Sequence, residues 1–223
     1  MPTFDQVISD LIISGQSNGE ELGSSFRLAL NEFGGNPLYI SSASTFGTTS
    51  GAGILNRLAA FPVISARGGT LDFVGAIVTV QGGAGSSMRV GLYTAAGLYP
   101  QNLLIQSGTI NTNAVNGLQG VQVSAVQTAS ITLAAGTLYW GVVNFGTSGP
   151  TVVTATAGAP LFGYQADTVP NPTTTPIWGW QANLAFGALP AVFPQGGTLL
   201  TGATAVAVGI RYGSVSRSAR AGG

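Results

Sequence analysis

Apolar residues along this chain follow two periods, and the change between them divides it. Near the start, Phe4, Val7, Ile8, Leu11 and Ile12 repeat at i, i+3, i+4, i+7 and i+8, the stripe of an amphipathic helix. Thr3 with Gln6 fits a capping box, and Gly15 fits a stop. A second short helix is predicted over 20–33, ended by Gly34-Gly35. Residues 36–53 are rich in Ser, Thr and Gly and read as a linker or loose strands. Residues 54–60 read as a helical turn or as the run into a strand.

From Phe61 onward the strand pattern takes over. β-Branched and aromatic runs bounded by glycine clusters predict strands near 61–66, 70–80, 87–94, 102–110, 119–126, 129–134, 137–145, 151–156, 160–166, 176–186 and 203–212. No helical run interrupts them, which disfavours α/β folds. The fold class is therefore all-β, a jelly-roll-like antiparallel β-sandwich with a short helical N-terminal segment. The division is a helical anchoring segment at 1–35, a linker at 36–59, the sandwich at 60–212 and a tail at 213–223. Within 70–80, Leu71, Phe73, Val74, Ala76, Ile77, Val78 and Val80 make both faces apolar. One face fills the core, and the other requires cover from a neighbouring element or another subunit.

Charge changes the picture. Charged residues are 6% of the 223, against roughly 25% in ordinary soluble proteins. Arg89 is the lone charge from Phe73 to Ala166. Five of the seven acids lie in 1–35 beside one Arg, so that segment carries net −4 and the remainder +4. Such a surface has little self-repulsion to keep copies apart. Copies of the chain are the first expected partner.

The N-terminal helix has two readings: it packs on its own domain, or it docks on a partner. A helix of about three turns is marginal alone in water, so its apolar face must rest on something. No basic segment precedes an apolar run, and nothing reads as a signal peptide or a spanning helix, so membrane insertion is not expected.

The chemistry-bearing residue types are sparse. There is no cysteine, histidine or lysine, which removes disulfides, thiolate metal sites and the commonest general base. Serine nucleophiles therefore lack a histidine or lysine base. A glycosidase pair would have to be Asp72 and Asp167, the acids after residue 33. No catalytic, metal or cofactor site is expected. The glycines of Gln81-Gly-Gly-Ala-Gly-Ser86 lack the lysine and following helix of a phosphate loop and read as a hairpin loop.

Trp178 and Trp180 are two apart, on one face if extended. With Tyr164, Asp167, Asn171 and Asn183 nearby in sequence they read as a sugar-stacking platform or, more ordinarily, as core or interface. Trp140 reads as core. In Arg89-Val-Gly-Leu-Tyr93 the residues Arg89, Gly91 and Tyr93 share a face, with Gly91 leaving room for a neighbouring aromatic. Tyr99-Pro100 favours a turn. Arg211, Arg217 and Arg220 are too sparse for nucleic acid and suit an arm lying on an acidic neighbour.

Several of these segments together resemble a known module. Phe61-Pro-Val, Gly69-Thr-Leu-Asp-Phe-Val-Gly75, Arg89-Val-Gly-Leu-Tyr93, Leu98-Tyr-Pro-Gln-Asn-Leu-Leu104 and Gly136-Thr-Leu-Tyr-Trp140 follow one another as in a β-sandwich of tailed-bacteriophage structural proteins. Such modules occur in fibres, spikes and head-decoration proteins, and the resemblance covers roughly 60–212. It implies a noncatalytic virion protein, often trimeric, with other capsid or tail proteins as partners. Residues 1–35 fall outside it. An alternative within the same setting is a receptor- or carbohydrate-binding module that takes a host surface glycan on Trp178 and Trp180.

Overall fold

A computed structural model describes residues 39–41, 46–65, 68–155, 164–165, 175–201 and 206–213. The strands are β1 (Tyr39–Ser41), β2 (Phe46–Ala52), β3 (Arg57–Ser65), β4 (Gly69–Val80), β5 (Ser87–Ala96), β6 (Tyr99–Gln106), β7 (Ile110–Asn111) and β8 (Gly117–Gln122). A single helical turn, α1 (Val123–Val126), follows. Then come β9 (Thr132–Leu133), β10 (Thr137–Phe145), β11 (Thr151–Ala155), β12 (Tyr164–Gln165), β13 (Thr175–Asn183), β14 (Thr198–Thr201) and β15 (Val208–Tyr212).

These strands form an antiparallel β-sandwich. The first sheet runs β1-β15-β4-β11-β2, with β8 and β9 also paired to β4. Because β15 and β8 both pair with β4 over Phe73–Ala76, they occupy its opposite edges. The second sheet runs β12-β13-β3-β10-β5-β6, with β14 on β13 and β7 on β5. From β3 to β5 the chain changes sheet at each connection, as in a jelly roll.

Alternation explains the core. Val74, Ala76 and Val78 of β4 meet Phe61, Val63, Val90, Leu92, Val143 and Phe145 of the second sheet in one buried cluster. The sheets approach closely at Gly141, where a Cβ would stand 2.6 Å from Val208 Cγ1. A side chain there would push the layers apart.

Several expectations are corrected. Residues 36–53, left open between a linker and loose strands, contribute strands where described: β1 and β2 are both paired in the first sheet. Gln81–Ser86 is not a hairpin loop. It arches from β4 in one sheet to β5 in the other, pinned by Gly82 N donating to Thr112 O at 3.0 Å and by the Ser86 and Thr112 hydroxyls at 2.7 Å. The strand expected over 119–126 ends at Gln122, where the chain coils into α1. The turn expected at Tyr99-Pro100 falls earlier, at Gly97 (φ +58°), and Pro100 sits in β6 opposite Ala95. The register of β5 and β6 slips between Tyr93 and Ala95, and such a bulge accommodates the missing N–H.

The second apolar face of β4 is covered partly by its own side chains. Phe73 lies across Gly75 and Gly120, where added Cβ atoms would overlap its ring. Arg211 of β15 stands over that ring with Cζ 5.2 Å from the centroid.

Candidate functional site

The most elaborated surface is the outer face of the second sheet, which carries a second buried cluster. Leu58, Ala60, Tyr93, Trp140 and Val142 point away from the inter-sheet core, since they alternate with Ala59, Leu92 and Val143 inside it. Their cover is the connection from β13 to β14, residues 184–197, which supplies Leu189 and Phe193. To reach β6 this strap crosses four strand spacings, roughly 19 Å, and then returns to β14 beside β13.

Polar contacts fix the strap along its length. Leu184 N donates to Asn56 O at 3.1 Å, and Asn144 Nδ2 donates to Leu184 O at 3.2 Å. Leu189 N donates to Gln106 Oε1 at 2.7 Å. Leu103 N donates to Ala191 O at 2.9 Å and Phe193 N to Gln101 O at 2.8 Å, so the strap also occupies the outer edge of β6. The hydroxyls of Tyr93 and Tyr99 donate to Pro190 O and Pro194 O, both at 2.6 Å. Proline carbonyls accept these bonds without needing an N–H partner of their own.

Arg89, Gly91 and Tyr93 do share this face, but the space over Gly91 is taken by Leu189 and not by an aromatic. A Cβ at 91 would lie 2.7 Å from Leu189 Cδ1. Arg89 turns to Ser107 O and Thr109 Oγ1, both at 3.0 Å.

The two tryptophans do not form a joint platform. A bulge between Ile177 and Gly179 sets Trp178 and Gly179 together opposite Leu200. Trp178, 4% exposed, turns into the inter-sheet core, whereas Trp180 joins the strapped cluster. The expectation of a common face assumed an unbroken period of two. Gly179 permits the bulge by letting Ala60 O occupy the place of a Cβ. Trp180 packs edge-on to Tyr99 at 4.8 Å between centroids and donates Nε1–H to Leu98 O at 2.7 Å. Tyr99 and Tyr93 are both edge-on to Phe193. Trp140 is fully buried, in the strapped cluster.

Asp72 is engaged by two side chains. Arg211 Nε donates to its Oδ2 at 2.5 Å and Gln122 Nε2 donates to its Oδ1, while Arg211 Nη2 reaches Gln122 Oε1 at 2.7 Å. Arg211 therefore belongs to β15 and this network, which corrects its placement in a basic arm. Burial pushes the Tyr93 hydroxyl well above its ordinary range, so it stays protonated near neutrality. Among the described residues no group of His, Cys, Asp and Glu could hold a metal ion, and no helix is long and apolar enough to cross a membrane. Phe4, Val7, Ile8, Leu11, Ile12, Asp167, Asn171, Arg217 and Arg220 lie outside the described residues.

The strap went unread in the sequence. Its signal is Leu189-Pro-Ala-Val-Phe-Pro194, large apolar residues between prolines that suit neither a helix nor a paired strand. No family model matches the chain, and no curated protein matches it.

Proposed function

We propose that this chain is a noncatalytic structural protein of a tailed-phage particle, assembled as a homotrimer and joined to capsid or tail through residues 1–35. The observation that carries the reading is the absence of free charge among the described residues of the sandwich. Arg57, Asp72, Arg89 and Arg211 are the charged side chains among the described residues. Each is engaged within its own chain: Arg57 on Gln181, Arg89 on Ser107 and Thr109, and Asp72 with Arg211. A surface of this kind offers little electrostatic resistance to association. Ile64, Val80, Leu98 and Leu118 add exposed apolar area to bury.

The phage setting and the trimer rest on the resemblance, whose segments coincide with β3 to β6 and β10. The mechanism is geometric: charge-poor faces bury against copies while the remaining loops face outward. Removing residues 1–35 tests the attachment. The shortened protein should fold but no longer enter particles. Entry at normal copy number would overturn the anchor.

A further inference from the structure

We propose that Asn116-Gly117 is a site of spontaneous deamidation, primed by the side chain of Gln119. Asn116 is exposed in the connection between β7 and β8. Gly117, the first residue of β8, has φ +84° and open space where a Cβ would stand. In the reaction the backbone nitrogen of Gly117 loses its proton to solvent base and attacks Asn116 Cγ. A nitrogen–carbon bond forms, and the side-chain nitrogen leaves as ammonia. The cyclic imide then takes up one water and opens to aspartate or to isoaspartate. Water is the sole co-reactant. Glycine leaves the attacking nitrogen unshielded, and strand ends open readily.

Gln119 bears on the first step. The Gly117 N–H and Asn116 O belong to one resonant peptide unit. Gln119 Nε2 donates to Asn116 O at 3.1 Å. As the N–H ionises, negative charge spreads onto that oxygen, and the hydrogen bond strengthens. The Gln119 amide thus favours the reactive anion. Among the described residues the other asparagines lack this arrangement. Asn111 Oδ1 accepts from Asn113 N at 3.1 Å, and Asn144 is buried with its amide donating to Arg57 O and Leu184 O. Among the described residues, Asn116 is the asparagine followed by glycine.

The product would matter to the first sheet. Gly117 is paired with Val78, so isoaspartate would lengthen the backbone at the entry to β8. It would also place a new carboxylate on a surface whose described carboxylate, Asp72, is already paired.

The test incubates the intact folded protein alone in mildly alkaline buffer and maps its peptides by mass and isoaspartate content. Asn116 should convert first among the described asparagines, faster as pH rises. Gln119→Met should slow it by about two- to tenfold, the range a net hydrogen bond gives. Gln119→Glu, which cannot donate when ionised, should slow it as well. The proposal is overturned if Asn116 keeps its amide while the denatured chain converts, or if both Gln119 variants convert at the original rate.

Discussion

Replacing Leu189 by alanine tests whether the strap is a structural element or a passive loop. Leu189 is 4% exposed and fills the space above Gly91 and Val142. Leu→Ala in a core costs about 2–5 kcal/mol, less where the surroundings can collapse. The strap has solvent on its far side and can settle inward, so a value of about 2–3 kcal/mol is expected. For a chain of this size, 1 kcal/mol moves the midpoint by about 2–4 °C, which gives a fall of about 4–12 °C. Val192→Ala is the control, because Val192 lies on the same strap but is 49% exposed. Its effect should stay within about 0.5 kcal/mol. Thermal unfolding by circular dichroism reads both, and limited proteolysis reads strap release in Leu189→Ala alone. Equal melting of Leu189→Ala and the parent would show the strap to be a passive loop.

Trp178→Ala should cost about 3–5 kcal/mol as a core truncation. Trp180→Ala should cost about 1–3 kcal/mol, from one edge-on ring pair and one hydrogen bond. Equal losses in denaturant titrations would contradict their opposite faces. The Asp72–Arg211 pair is partly exposed, so Asp72→Asn should lower stability by less than about 1 kcal/mol, and less again in high salt. A loss several times larger would mean that the network is a core element. Burial raises the Tyr93 pKa in the folded state above its ordinary value near 10. The unfolded chain therefore releases that proton first, and stability should fall as pH climbs past about 10. Tyr93→Phe should flatten the fall, and an unchanged slope would remove Tyr93 as its source.

The strands were legible wherever one physical signal dominated. β4, β5 and β10 are long apolar runs bounded by glycine, and they lie within a residue or two of their expected limits. Sheet membership was not legible, because alternation shows which residues are buried but not against which layer. Gln81–Ser86 carries the same glycines whether it closes a hairpin or arches between sheets. The tryptophan faces were misread for a related reason. One extra residue at Gly179 inverts every position beyond it, and that glycine, the local mark of a bulge, was passed over in the strand reading. Gly91 announced a close approach, but the partner comes from Leu189, far along the chain. The strap stayed hidden because its residues bury themselves without a period. Arg211 was read with the tail because its partner, Asp72, lies on a strand distant in sequence.

We propose that this charge-poor sandwich is buried against copies of itself. Sedimentation of the intact chain at micromolar concentration tests it most directly. The expected mass is that of a homotrimer, stable on dilution within that range. A stable monomer of 22.4 kDa would contradict it.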